Sequence, residues 1–244
     1  MEDGREKAGK RGNMKKTVMA IGGHIGDAEL TCGGVLATMA LKGYEIITVA
    51  LTGGERGNPS FLSVEEYRKQ KVQEAEKFAA HLGGKAIVFP YVDGELPDNE
   101  QVRMELCDLI RKYKPQALMT HWKNSMHKDH ELTHKIVKDA WFYAGLSGLE
   151  RQDSAHFAKG PYYAQNWEDA EGFQPYVYME VTKEGFELWK KAIKEHWFAV
   201  NSKDFHYMEY YEHLMCCNGC LARTDYAEAF MINPEAMKLV LKEF

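Results

Sequence analysis

Short apolar runs alternate with amphipathic stretches from residue 15 to about residue 145. The run at 17–23 contains β-branched side chains and ends in two glycines, a pattern typical of a buried strand. Apolar side chains then lie on one side of a predicted helix over 28–42. Ser63, with Glu66 three residues later, is a capping-box pattern that predicts a helix running to Leu82. Further strands are predicted at 45–51, 86–90 and 117–121, and further helices at 100–113 and from residue 129.

Strand and helix alternate four times in this region, and the connections are too long for hairpins. The alternation predicts an α/β fold: a Rossmann-like, doubly wound, mostly parallel sheet with helices on both faces. The alternation is lost over 146–174, a segment rich in Gly, Tyr, Trp and charge. We expect a single domain over 15–244, preceded by a disordered extension or cloning remnant over 1–14. The later predicted elements are a strand at 176–181, helices at 184–198 and 204–220, a short strand at 227–232 and a terminal helix.

Composition and charge narrow the classes of partner. The chain has 244 residues with 36 acidic and 31 basic side chains, a formal net charge of −5. No nucleic-acid or anionic-membrane partner is expected, because both favour a basic face. No stretch of about eighteen apolar residues occurs, so membrane insertion is not expected either. Five cysteines without a disulfide pattern, and no apolar export segment at the start, predict a cytoplasmic protein.

Two histidine–carboxylate clusters follow the first and the fourth predicted strands. His24 and Asp27 come after the first strand, and HKDH at 127–130 comes after the fourth. In an open parallel sheet, ligands bind beyond the carboxyl ends of the strands where the winding reverses, and strands 1 and 4 are commonly neighbours there. We therefore expect the clusters to converge. Imidazole and carboxylate are ligands of catalytic zinc, so His24 and Asp27 with either His127 or His130 predict a metal site.

The same segments resemble the LmbE-like, or PIG-L, family of N-acetylglucosaminyl deacetylases. The resemblance rests on AIGGHIGDAELTCGGVLA near the start, LTGGERG after the second strand, DGEL, HKDH, and YAEAF near the end. It covers most of the chain from about residue 15 to residue 232. It implies the fold of that family and a zinc cofactor, with another divalent metal as an alternative.

Carried over by position, the resemblance implies that His24, Asp27 and His130 are the zinc ligands. It further implies that His127 stabilises the oxyanion and acts as general acid, with Asp129 orienting it. This chemistry is coherent, because zinc acidifies a bound water and polarises a carbonyl, while a histidine stabilises the tetrahedral intermediate.

One position departs from the family pattern. The family places its general base directly before the metal-binding aspartate, where this chain has Gly26. Glycine cannot accept a proton, and removal of a general base typically costs roughly 10²–10⁴-fold in rate. Glu55, Asp129 and His127 are candidate substitutes; alternatively, Gly26 enlarges the pocket for a substrate group. We predict a working deacylase in which His127 or Glu55 takes the base role.

Three further residues are predicted to bind substrate at the edge of the crevice. Arg56, in the glycine-rich loop TGGERG, is the partner for an anion or a sugar hydroxyl, unless that loop is only a tight turn. Asp93 in DGEL is assigned to sugar hydroxyls, with a plain turn as the alternative. His121 ends the fourth strand and is predicted to form the pocket wall rather than part of the core. The aromatic segment 161–178 suits packed surface or, near a sugar site, stacking on sugar rings.

The function predicted from these observations is a zinc-dependent hydrolase that removes an N-acyl group, acetyl above all, from an N-acetylglucosamine-type amino sugar or conjugate. The alternative is a catalytically impaired metal-binding α/β module that binds a sugar-like ligand without hydrolysis. A dinucleotide is not expected, because GGHIGD places His and Asp where a phosphate needs bare backbone. The expected partner is a small-molecule N-acylated sugar, and assembly into a homo-oligomer is left open.

Overall fold

The computed structural model describes residues 15–237, which are built around a seven-stranded sheet. The strands are β1 Thr17–Gly22, β2 Glu45–Thr52, β3 Lys85–Tyr91, β4 Ala117–Thr120, β5 Lys159–Ala164, β6 Val177–Val181 and β7 Tyr226–Met231. The helices are α1 Asp27–Thr31, α2 Gly33–Leu41, α3 Val64–His81, α4 Glu100–Tyr113, α5 Lys128–Gly145, α6 Lys183–Ala192, α7 Trp197–Asn201 and α8 Tyr207–Ala222.

The strand order is β3-β2-β1-β4-β5-β7-β6. β1 pairs in parallel with β2 on one side and β4 on the other, and the β2–β3 and β4–β5 pairs are parallel too. β7 runs antiparallel to both of its neighbours, β5 and β6. The predicted doubly wound, mostly parallel sheet is therefore confirmed, and β1 and β4 are neighbours where the winding reverses.

Two hydrophobic cores lie on opposite faces of the sheet, and alternate residues of β1 enter each of them. Val18 and Ala20 pack into the core that includes α2, α6 and α8, whereas Met19 and Ile21 pack with α4 and α5. Every residue of β1 is buried, as expected for a central parallel strand. Because helices cover both faces, a site must form at the ends of the strands.

The single helix predicted over 28–42 is two helices, α1 and α2, because the chain breaks at Cys32. Cys32 has φ −125° and ψ 0°, outside helical values. The carboxylate of Glu228, on β7, accepts hydrogen bonds from the N–H groups of Gly34 and Val35 at 2.7 and 2.9 Å. This buried acceptor satisfies N–H groups at the start of α2 and so stabilises a second helix start.

The region after residue 145 contains a strand that the sequence pattern does not predict. β5 crosses the segment expected to be irregular, where Gly160 and Pro161 interrupt the strand pattern. The helix predicted over 184–198 is divided into α6 and α7 by a turn that ends at fully buried His196. The strands predicted at 176–181 and 227–232 correspond to β6 and β7.

Two expectations concern residues outside the described range. The predicted extension over 1–14 lies there, and so does the end of the predicted terminal helix, near which the structure describes only the turn Pro234–Ala236. Within residues 15–237, no helix combines the length and the apolar character needed to cross a bilayer.

Candidate metal centre

The loops after β1 and β4 meet at the carboxyl end of the sheet. His24 lies in the loop after β1, Asp27 begins α1, and His130 lies in the first turn of α5. The backbone N–H and the hydroxyl of Thr52, at the end of β2, both donate to the carbonyl oxygen of Gly23, at 2.8 and 2.9 Å. These bonds hold the β1 loop in place, and the ring centroids of His24 and His130 lie 5.1 Å apart.

The ligand atoms of His24, Asp27 and His130 form a nearly equilateral triangle. His24 Nδ1 lies 3.3 Å from Asp27 Oδ2 and 3.2 Å from His130 Nε2, and His130 Nε2 lies 3.3 Å from Asp27 Oδ2. Tetrahedral bonds of about 2.0–2.1 Å to one ion place ligand atoms roughly 3.3 Å apart. The three residues therefore fit a zinc-type ion. Three overlapping groups also bring ligand atoms within 4.8 Å of one another: His24, His127 and His130; Asp27, His121 and His130; and His24, Asp93 and Asp129.

A fully buried carboxylate from the C-terminal region supports this triad. Asp169 accepts hydrogen bonds from Nδ1 of His130 at 3.0 Å and from Nδ1 of His121 at 2.8 Å. Burial raises the pKa of Asp169, but attraction to His121 and hydrogen bonds from both histidines outweigh it and hold the pKa well below its usual range. Asp169 therefore keeps the proton of His130 on Nδ1 and directs Nε2 towards the triad.

His121 lies behind Asp27, where the sequence predicted a residue of the pocket wall. It is 4% exposed, its Nε2 accepts a hydrogen bond from the Gly23 N–H at 3.0 Å, and the same nitrogen lies 3.1 Å from Asp27 Oδ2. Its ring stacks on that of His130 with centroids 3.9 Å apart. These contacts make His121 a support for the β1 loop and the triad instead of a cavity-lining residue.

The outer edge of the His24 ring faces two carboxylates. Its Nε2 lies 3.2 Å from Asp93 Oδ1 and 3.5 Å from Asp129 Oδ2. The N–H of Gly94 donates to Asp129 Oδ2 at 2.7 Å and so positions that carboxylate. The two carboxylates favour the ring proton on Nε2, which leaves Nδ1 for the triad, as in metal-binding histidines.

Glu55 and Arg56 hold the loop that carries Asp93. Glu55 is 2% exposed, and its carboxylate accepts from the Asp93 N–H at 3.1 Å and from Arg68 at 3.0 Å. The backbone N–H of Arg56 donates to Asp93 Oδ2 at 3.0 Å, while its half-exposed side chain pairs with Glu95. Neither side chain lines the cavity next to the triad, whereas Asp93 does.

His127 is the N-cap residue of α5 and lines the cavity beside His24, with ring centroids 4.5 Å apart. Its Nδ1 accepts a hydrogen bond from the backbone N–H of Asp129 at 3.2 Å, which leaves the ring proton on Nε2. Burial and the neighbouring rings of His24 and His130 lower the pKa of His127, so the neutral ring is favoured. Asp129 thus orients His127 through its backbone, whereas its carboxylate faces His24.

The triad is an environment that favours positive charge. Burial lowers the pKa of His130, but attraction to Asp27 and hydrogen bonds to Asp169 and Asp27 raise it to about 10. Burial raises the pKa of Asp27, and its histidine neighbours, His130 first, bring it well below the usual range. The carboxylates that stabilise protonated histidines here would equally stabilise a divalent cation bound between them in place of the protons.

The ring of Phe198, on α7, occupies the space beside Gly26. A Cβ built on Gly26 would lie 2.4 Å from Phe198 Cζ and 2.7 Å from Cε1, and Gly26 has φ 110°, which side chains rarely adopt. The space beside Gly26, which the alternative interpretation gave to a substrate group, is thus occupied by an aromatic ring.

The triad opens into a cavity of about 810 Å³ between the β1 loop, α3, α7 and α8. Tyr162 and Tyr163 of β5 are absent from its lining and pack in the interior, whereas Trp167 lines the cavity and stacks on Phe205 at 4.6 Å. The main aromatic side chains of the lining are Phe61, Tyr67, Trp167, Trp197, Phe198 and Phe205.

Residues 19–141, which carry both histidine clusters, match the family model described as PIG-L, GlcNAc-PI de-N-acetylase. The chain belongs to the PIG-L family. The match ends within α5, so the C-terminal strands and helices of this PIG-L protein lie beyond it.

Relatives of this PIG-L chain include deacetylases. It is 29% identical over 146 residues to diacetylchitobiose deacetylase of Thermococcus kodakarensis. The aligned region covers 58% of this chain and 55% of that enzyme. The chain thus spans about half the length of that relative. It is 41% identical over 190 residues to an uncharacterized deacetylase of Escherichia coli K12, which covers 75% of this chain and 92% of that protein.

The fold also matches a solved structure closely. The 4-carboxy-2-hydroxymuconate hydratase of Pseudomonas putida KT2440 superposes with a TM-score of 0.82 at 20% identity, covering 94% of this chain and 99% of that one. At this identity the likeness establishes a shared fold. The C-terminal elements beyond the PIG-L family match therefore belong to the same architecture.

Two residues at this PIG-L site, Asp169 and Phe198, carry no sequence signal that singles them out. Asp169 lies in the aromatic segment and contacts His130 and His121 from 39 and 48 residues away. Phe198 reaches Gly26 from a five-residue helix. Only the three-dimensional path of the chain after β5 brings both side chains to the site.

Proposed function

We propose that this chain is a metal-dependent hydrolase that removes an N-acyl group, acetyl above all, from an amino sugar or its conjugate. The observation that carries the proposal is the triangle of His24, Asp27 and His130 ligand atoms, 3.2–3.3 Å on each edge, at the base of a large aromatic-lined cavity. Membership of the PIG-L family supports this reaction class.

Zinc is the proposed metal, held by His24, Asp27 and His130. Two imidazoles and one carboxylate are a donor set that zinc takes in hydrolytic enzymes. When bound there, zinc supplies an acidified water and polarises a carbonyl oxygen. The carboxylates of Asp93 and Asp169 orient the two histidines from outside the triad.

His127 is the proposed proton carrier. Its Nε2 bears the ring proton and the ring lines the cavity, so the neutral ring can donate a hydrogen bond to an amide oxygen. Because Glu55 is turned towards Arg68 and the Asp93 backbone, we assign it a loop-positioning role. His127 can take the missing base role at Gly26 in the tautomer that frees Nε2, where it would accept a proton from the attacking water and pass it to the departing amine.

An N-acetylated sugar is the proposed substrate class. The cavity volume lies within the usual range of small-molecule sites, and aromatic rings such as Trp167 and Trp197 stack well on the apolar faces of sugar rings. The name of the Thermococcus relative, diacetylchitobiose deacetylase, supports the same class. We propose that Asp93 contributes to substrate binding at the base of the cavity. Arg56 would act there indirectly, because its backbone N–H holds the Asp93 carboxylate while its side chain pairs with Glu95.

The test combines metal analysis with acetate release. Protein purified without chelator should contain about one zinc per chain and release acetate from N-acetylglucosamine or diacetylchitobiose. Asp27→Ala should lose both metal and activity, while Asp108→Asn, at a surface ion pair with Arg151, should keep both.

Two results would replace the proposal. Binding of these sugars without acetate release would support the binding-module alternative. Hydration of an unsaturated carboxylate, with no acetate release, would support the activity named for the Pseudomonas structure.

A further inference from the structure

Two polar side chains of α3, Tyr67 and Lys71, line the cavity, and within residues 15–237 neither has a hydrogen-bond or ion-pair partner. They lie four residues apart, so they occupy neighbouring positions on one helix face. Tyr67 is 1% exposed and Lys71 is 5% exposed. Within residues 15–237, neither the Tyr67 hydroxyl nor the Lys71 ammonium makes a hydrogen bond, yet neither atom is sealed from the cavity.

The Lys71 ammonium lies close to the triad. A Cβ built on Gly54 would lie 2.9 Å from His24 Cβ and 3.0 Å from Lys71 Nζ, so one small gap separates the two side chains. Lys71 Nζ also lies 4.7 Å from the centre of the Phe198 ring, which fills the space beside Gly26. The ammonium and the Phe198 ring thus lie together beside the metal ligands.

The rings of Tyr67 and Phe198, 5.6 and 4.7 Å from Lys71 Nζ, offset only part of the cost of burying an ammonium without a hydrogen-bond acceptor. Burial lowers the pKa of Lys71, and the carboxylates of Asp27 and Glu74 oppose that shift from beyond ion-pair distance. On the same helix, Lys69 instead forms an exposed ion pair with Glu65 at 2.7 Å. Lys71 therefore differs from an ordinary surface lysine in burial and in lacking an acceptor.

We propose that Tyr67 and Lys71 form a carboxylate-binding subsite, so that the substrate of the proposed N-acyl hydrolase carries a carboxylate as well as the acyl group. Lys71 Nζ lies 5.6 Å from the centre of the Tyr67 ring, so the ammonium and the hydroxyl border the same part of the cavity, and each can donate a hydrogen bond to a carboxylate there. One ammonium balances one negative charge, whereas a phosphate dianion would leave excess charge near Asp27 and Asp93. The inference rests on the proposed function for the reaction, but its binding test does not depend on turnover.

The experiment compares matched pairs of ligands that differ in one charge. The pairs are N-acetylmuramate with its methyl ester and N-acetylphenylalanine with its amide. Dissociation constants are measured by calorimetry on zinc-loaded full-length protein, and acetate release is measured on the same samples. The variants are Lys71→Met and Tyr67→Phe, with Lys77→Met, at an exposed position of the same helix, as the matched control. Thermal unfolding checks that each variant is folded.

We expect the wild type to bind the carboxylate member of at least one pair about tenfold more tightly or better, as for a charge-assisted hydrogen bond. Lys71→Met should bring that ratio close to one, Tyr67→Phe should reduce it severalfold, and Lys77→Met should leave it unchanged. Three results would overturn the subsite. The wild type could bind both members of each pair equally, it could show no saturable binding, or the ratio of dissociation constants could be the same in Lys71→Met.

The same data separate this inference from the proposed reaction. A carboxylate preference without acetate release would support the proposed subsite and contradict the proposed hydrolase activity. Acetate release without a carboxylate preference would support the proposed hydrolase activity and contradict the proposed subsite.

Discussion

The two halves of the molecule contribute to the site in different ways. The region from β1 to α5 supplies the triad and His127, all in loops or first helical turns that follow regular strands. The region from β5 to β7 supplies Asp169 and Phe198, which fix ring orientation and close the space beside Gly26. The comparison teaches that reactive groups are placed by the winding of the sheet, whereas their orientation and access are set by a less regular region.

His127→Ala tests the contribution of the first region, β1 to α5, to catalysis. It should have the largest effect on turnover. We expect the metal to stay bound, because His127 is outside the proposed triad, and turnover to fall by roughly 10²–10⁴-fold with the loss of the proton carrier. Elemental analysis and acetate release measure the two quantities. His213→Ala, at an exposed position of α8, is the control and should change neither. Parallel loss of metal and activity would make His127 a ligand.

Asp169→Asn tests the contribution of the second region, β5 to β7, to metal binding. Removing the carboxylate that bonds both His130 and His121 should weaken metal affinity by roughly 10–100-fold, the usual effect of a lost outer partner. Competition titration with a zinc chelator measures the affinity. Glu171→Gln, at an exposed site two residues away, should leave it unchanged. An unaltered affinity in Asp169→Asn would mean that the first region holds the metal by itself.

Gly26→Asp tests how tightly the two regions fit together. The substitution should lower the free energy of unfolding by about 1–3 kcal/mol and reduce activity, because φ 110° is strained and Phe198 occupies the space. Gly43→Asp separates the causes, since Gly43 has φ 85° but no atom within 4 Å of its Cβ position.

A double variant completes this measurement. Phe198→Ala combined with Gly26→Asp should be less destabilised than the sum of the single changes, a coupling that urea denaturation can quantify. A faster enzyme with unchanged stability in Gly26→Asp would contradict the steric assignment.

Glu228→Gln tests a contact between the regions that lies away from the metal ligands. Burial raises the pKa of Glu228 to about 8 despite the hydrogen bonds from α2. Between the unfolded pKa of 4.5 and about 8, the folded state therefore holds a proton that the unfolded state releases, so stability falls as pH rises. The slope is at most about 1.4 kcal/mol per pH unit. Urea denaturation from pH 5 to 8 should show a flatter dependence in Glu228→Gln and no change in exposed Glu180→Gln.

The doubly wound parallel sheet with β1 beside β4, and with it the meeting of the histidine clusters, could be predicted because the pattern of strands and helices is local in the sequence. Alternation of strands with helices determines the parallel half, and HxxD and HKDH lie next to strand ends. β5 was missed because Gly160 and Pro161 weaken its pattern, and the turn that follows it places Asp169. The position of the Phe198 ring depends on the packing of α7, for which the sequence contains no periodic signal.

Substrate-binding residues were harder to predict than metal ligands for a related reason. Glu55 and Arg56 follow β2 at the expected edge, but hydrogen bonds to the Asp93 loop and an ion pair with Glu95 direct their side chains elsewhere. Tyr67 and Lys71 lie on a helix that the sequence predicts well, yet which face of α3 borders the cavity becomes known only when α7 is in place.

The strand order also has a consequence for how the chain is made. Among the described residues, β6 pairs with β7 alone, and more than forty residues separate the two strands in the chain. During synthesis, β6 therefore has to wait for β7 to emerge before it can join the sheet, whereas β1 to β4 can pair as soon as they appear. The half that carries the metal ligands can assemble first, and the half that encloses them is completed only after β7 has emerged.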